Sequence, residues 1–96
     1  MKKFVFLSVG YETPTKEITD AWMKWFGEIK EHIVDSGNPL GPGKEITASG
    51  VKELAQDKGA ITGYTIINAE SMEEAVKIAK GCPIITGIRV YPAMSM

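Results

Sequence analysis

The chain has 96 residues and a mass of 10.5 kDa, which allows one compact domain and excludes mechanisms that need two. Eleven basic against twelve acidic residues give a formal charge of −1, so neither a dominant nucleic-acid footprint nor attraction to an anionic membrane is expected. Surface scaling predicts roughly 5,400 Å² exposed when folded against roughly 15,000 Å² unfolded, a thin core that a second copy would help.

Cys82 is the single cysteine, so an intrachain disulfide and a thiolate zinc cluster are both excluded, and a reducing cytoplasm fits. Met1, Lys2 and Lys3 followed by apolar residues imitate a signal peptide. The apolar run is only six residues, however, and meets Gly10, Tyr11 and Glu12 without a small-residue cleavage site. It reads instead as a first strand over residues 4–9, with apolar groups on both faces and therefore central. No stretch approaches the ~18 apolar residues of a membrane span.

Thr13-Pro14 reads as a helix start, with the threonine as cap and the proline at the first helical position. At ~100° per residue, Ile18, Ala21, Trp22, Trp25, Phe26, Ile29 and Ile33 share one apolar face, which predicts a long helix stopped by Ser36-Gly37 and Asn38-Pro39. Residues 38–59 carry Gly41-Pro42-Gly43, Ser49-Gly50 and Lys58-Gly59 and read as a loop with a small hairpin.

Residues 60–69 form a β-rich run, with Gly63 leaving room for a close neighbour. Ser71-Met72-Glu73-Glu74 is a capping box for a second helix whose buried stripe is Met72, Ala75, Val76 and Ala79. Gly81 and Pro83 end it, and residues 86–92 alternate Ile88 and Val90 against Arg89 and Tyr91 as a last strand. The order is a split βαβ pattern: an α+β fold with two helices on one face of an antiparallel sheet. Tyr64, Ile66, Arg89 and Tyr91 are expected on the uncovered face, and a second subunit is the expected cover, making a homodimer.

The stretch Gly63-Tyr64-Thr65-Ile66-Ile67-Asn68-Ala69-Glu70-Ser71-Met72-Glu73-Glu74-Ala75 resembles the strand-to-helix signature of the YCII-related family, as does Asp35-Ser36-Gly37-Asn38-Pro39-Leu40. The spacing of Trp22, Trp25 and Phe26 is similar to that of its short stand-alone members. The resemblance runs from the first strand to about Tyr91. It implies a single ferredoxin-like domain over residues 1–96 that dimerises face to face as an α/β barrel with a cleft between the sheets. Better-studied relatives carry a proposed acid/base pair, a histidine on the first helix and an aspartate before a proline after the second. By the same resemblance those positions here are Phe26 and Cys82, so that chemistry does not transfer.

His32 is the only histidine and the one side chain whose ordinary pKa lies near neutrality, which makes it a candidate general acid or base. Its plainer role is to bridge core and solvent at the rim of the helix stripe. Asp35, three residues on, is a candidate catalytic partner for it; its plainer role is a turn aspartate bonded to backbone near Gly37. Cys82, beside a helix end that disfavours a thiolate, reads as a small buried hydrophobe. Gly41-Pro42-Gly43-Lys44 fails as a phosphate loop because Glu45 follows the lysine and proline removes a backbone donor. Trp22 and Trp25 read as core.

Arg89 is the only arginine, and with Tyr64 and Tyr91 it is a candidate binder of a carboxylate in an inter-subunit cleft; the alternative is a salt bridge across the interface. No metal-ligand spacing and no interleaved basic and aromatic patch is present, so neither metal, other cofactor nor nucleic acid is expected. Three functions follow: a homodimer binding a small organic molecule, anionic where Arg89 takes part; an enzyme of isomerase or lyase type moving a proton on a ring or lactone; and an interaction module whose cleft is filled by side chains.

Overall fold

The computed structural model describes residues 1–94. Strand β1 (Lys2–Val9) leads through a loop to helix α1 (Lys16–Glu28), a single 3₁₀ turn (Lys30–His32) and a short strand β2 (Ile33–Asp35). Strands β3 (Lys44–Thr47) and β4 (Gly50–Glu53) form the expected hairpin, and β5 (Ile61–Ala69), α2 (Met72–Ala79) and β6 (Gly87–Pro92) complete the chain. The order β2-β5-β1-β6 is a four-stranded antiparallel sheet, while β3 and β4 pair only with each other. Two helices packed on one face of this sheet make the fold α+β and ferredoxin-like. Among the described residues no helix is long and apolar enough to cross a membrane.

The first helix differs from its sequence reading at both ends. Thr15, not Thr13, is the cap, its hydroxyl accepting the Ile18 N–H at 3.2 Å, so Pro14 precedes the helix. The helix stops at Glu28 rather than at Ser36-Gly37. Gly27 in its last turn weakens the helical ladder, and the β-branched Ile33 and Val34 gain more from pairing with the free edge of β5 than from another helical turn. Ile33 lies opposite Ile67 and Asp35 opposite Ile66. The fourth strand of the sheet is thus the segment that the apolar stripe assigned to the helix.

The second helix starts as predicted. Ser71 Oγ accepts the Glu74 N–H at 3.2 Å, and the Glu74 carboxylate reaches back to the Glu70 N–H at 3.1 Å. Ala75 and Ala79 are fully buried, but Met72 and Val76 are exposed and Ile78 takes their place against the core.

Side chains alternate across the sheet. Phe4 and Phe6 on β1 and Thr65, Ile67 and Ala69 on β5 are buried beneath the helices, with Ile88 and Val90 of β6 partly buried beside them. Trp25 and Ile29 descend into this layer from α1. The register places Leu7 beside both Tyr64 and Arg89, and Val5 beside both Ile66 and Tyr91, on the opposite face. No element of the chain covers that face among the described residues.

Candidate functional site

A cleft of about 580 Å³ lies on the helix side of the sheet. It opens where β1 ends and β5 begins. Its roof is a stripe of α1, Ile18, Trp22 and Phe26, spaced four residues apart and so one above another. Trp25 and Ile29, one position round the helix, go into the core instead. This division explains why Trp22 and Phe26 are only half-buried although both sit on the apolar face. Their rings lie 5.8 Å apart and each packs against Trp25, at 5.6 and 5.3 Å. The aromatic roof is therefore anchored from behind.

The floor is backbone-rich. Thr62 and Thr65 of β5 border the cleft, and both hydroxyls are committed inward: Thr62 donates to the Gly10 carbonyl at 2.9 Å and Thr65 to the Ser36 carbonyl at 3.3 Å. Gly10 has a φ of 108°, which favours glycine, and its N–H donates to the Ala60 carbonyl at 2.7 Å. The next residue, Tyr11, is held by the Asp57 carbonyl at 2.8 Å. These bonds fasten the loop that brings Tyr11, Glu12 and Pro14 to the mouth.

One side wall is the segment after β2. Asp35 Oδ1 accepts the Gly37 N–H at 2.8 Å, a turn closed by Gly37 at a φ of 76°. The turn throws Asn38 and Pro39 against the start of β5, where Pro39 bridges to Gly63 and the Asn38 amide donates to the Tyr64 hydroxyl at 3.2 Å. Pro83 and Ile85, between α2 and β6, form the other side.

The candidate residues are not brought together. His32 is half-buried in the 3₁₀ turn and donates from Nδ1 to the Asn68 carbonyl at 3.1 Å, tying that turn to β5. Neither it nor Asp35 borders the cleft, and among the described residues no hydrogen bond joins them. Arg89 and Tyr91 are exposed on the open sheet face, away from the cleft. Tyr64 alone belongs to both, lining the cleft at the sheet edge while its register groups it with Leu7 and Arg89. This cleft lies within a single chain and is distinct from the inter-subunit cleft that the resemblance implies. Its walls come from six separate segments, so no local motif announces it.

Cys82 is buried in the core beside Pro83, and its thiol donates to the Pro83 carbonyl at 3.2 Å. Burial pushes its pKa up from 9.0 to about 11. The thiol binds its proton more tightly in the folded chain than in the unfolded one. Its contribution to stability is therefore intact below pH 9 and falls as pH rises toward 11. Replacing Cys82 with alanine should flatten that part of the stability curve, measured as urea midpoints of both forms between pH 8 and about 11. A loss of equal steepness in the variant would assign it to other groups.

Fold and site together define a small ferredoxin-like α+β protein with an aromatic-roofed cleft at one end of its sheet. A sequence model of the YCII-related domain matches residues 4–96, and the chain belongs to that family. No curated protein matches it in sequence.

Proposed function

We propose that this chain is a small-molecule binding protein that holds an organic ligand in the cleft beneath Ile18, Trp22 and Phe26, and that it works as a homodimer joined through the open sheet face. The observation that carries the first part is the cleft itself. A concavity of about 580 Å³, largely apolar and with a few polar groups at its floor and mouth, has the size and character of ligand pockets in general. Its aromatic roof is fixed by Trp25 and its floor by paired hydroxyls, so little ordering remains to be done on binding.

Binding has more support than proton transfer. Phe26 and Cys82 stand where the resemblance puts the acid and base of better-studied relatives; the first is a phenyl ring at the cleft wall and the second a thiol held protonated. His32 and Asp35, the other candidates, are engaged with backbone outside the cleft. The test is to fill the cavity. Thr19 is exposed on α1 and borders the cleft, so Thr19→Trp should keep the fold while abolishing the thermal stabilisation that a screen of small aromatic compounds gives the parent protein. Stabilisation that survives the substitution would place the ligand elsewhere.

The dimer reading is supported by surface. The chain exposes 6879 Å², against roughly 5,400 Å² for a monomer of this mass, and the open face carries Val5, Leu7, Ile66 and Tyr91 in register. Light scattering at micromolar concentration should give about twice the 10.5 kDa of one chain. Leu7→Lys, which sets a charge beside Arg89 at the centre of that face, should return it to a single chain. A parent protein that scatters as one chain would remove this part of the proposal.

A further inference from the structure

We infer that the cleft accepts a ligand with an aromatic or aliphatic body and a protonated amine, and disfavours a carboxylic acid of the same shape; the inference rests on the cleft being the binding site.

Glu12 at the mouth is the one formally charged side chain that borders the cleft among the described residues; no lysine, arginine or histidine does. An anion would then depend on neutral donors, and most of these are already used. The Thr62 and Thr65 hydroxyls donate to the Gly10 and Ser36 carbonyls. The N–H groups of Gly10, Tyr11 and Leu40 donate to the carbonyls of Ala60, Asp57 and Thr62. Gly37 gives its N–H to Asp35 and Ile18 gives its own to Thr15, while Lys16 and Glu17 at the start of α1 do not border the cleft. Pro14, Pro39 and Pro83 have no N–H at all. The Gln56 amide and hydroxyls such as those of Ser8 and Thr19 serve as donor or acceptor alike and favour neither sign.

A cation, by contrast, meets groups suited to it. The faces of Trp22 and Phe26 carry the negative end of the ring quadrupole, and the Glu12 carboxylate lies at the same mouth. An ammonium group carried on an apolar body would satisfy both, with the body beneath the roof and the charge toward Glu12. Arg89, the residue that suggested an acidic ligand from sequence, is on the other face of the sheet and does not enter this balance.

Three compounds of matched shape decide the question: 4-phenylbutylamine, 4-phenylbutanol and 4-phenylbutyrate, titrated calorimetrically at pH 7 and low salt. The expected order is amine, alcohol, acid. The amine should bind about tenfold more tightly than the acid, since attraction in one case and repulsion in the other are each worth a few-fold at a solvent-exposed carboxylate. Glu12→Gln should bring the amine-to-acid ratio close to that set by the rings alone, within about threefold. An acid that binds as tightly as the amine overturns the charge inference while leaving the cleft as the site, provided Thr19→Trp abolishes the binding. An amine preference unchanged in Glu12→Gln also overturns it. If none of the three binds, the binding reading itself fails, and this inference with it.

Discussion

Replacing Trp25 with alanine is expected to cost about 3 to 5 kcal/mol, because it empties the densest part of the core. Trp25 is almost completely buried, stacks within 6.1 Å of Phe6 on β1 and holds both rings of the cleft roof. Its indole N–H also donates to the Ile78 carbonyl at 3.1 Å, the only side-chain hydrogen bond described between the two helices. A chain of this size has about 5 to 14 kcal/mol in total, so the variant should be partly unfolded at ambient temperature. Trp25→Phe keeps most of the bulk and loses the indole hydrogen bond, while the Ile78 carbonyl still accepts the Gly81 N–H at 3.3 Å; the lost bond should cost about 0.5 to 1.5 kcal/mol. Urea midpoints order the three proteins. A midpoint for Trp25→Ala close to that of the parent would show that the roof does not depend on this anchor.

Gly37→Ala should have an effect of similar rank from a single methyl group. The backbone there has a φ of 76°, which costs an L-residue about 1 to 2 kcal/mol, and a Cβ would collide with the Tyr64 carbonyl oxygen. Relief requires the segment after β2 to move away from β5, which breaks the Asp35 turn and the side wall of the cleft together. A loss above about 2 kcal/mol is expected, with weaker ligand stabilisation. Gly41→Ala is the control, since a Cβ at Gly41 meets nothing within 4 Å and needs no unusual backbone angle. Equal midpoints for the two variants would mean that the wall yields easily.

Gly37 also illustrates what the sequence could and could not convey. The dipeptide Ser36-Gly37 correctly marked a break with left-handed backbone, but the element it ends is a strand and not a helix. Hydrophobic spacing alone could not separate the two. Ile29 and Ile33 continue the apolar stripe of α1, and only pairing with β5, a contact between residues far apart in the chain, decides that Ile33 is extended. The second helix was legible because its signals are local: Ser71, Glu74 and Gly81 act on their own neighbours. The open face was legible from the alternation of Arg89 and Tyr91 against Ile88 and Val90. The cleft was not. Trp22 and Phe26 carry the same apolar signature as Trp25, and whether such a residue packs into a core or over a cavity depends on what lies beneath it. Here that is the ends of two strands and a loop pinned by residues 57–60.

The hairpin of β3 and β4 shares no ladder with the main sheet. Its cross-strand pair Ile46 and Val51 is exposed at 79% and 66%, and a two-stranded ribbon alone in water is marginal. It can therefore open without disturbing any strand of the core. In hydrogen exchange its amides should behave as a separate cooperative unit, losing protection at a small opening free energy while β1 and β5 exchange only through global unfolding. Variation in the length or composition of this ribbon is accordingly a change the chain can absorb at almost no thermodynamic expense, so two proteins with the same cleft can differ widely between residues 43 and 54.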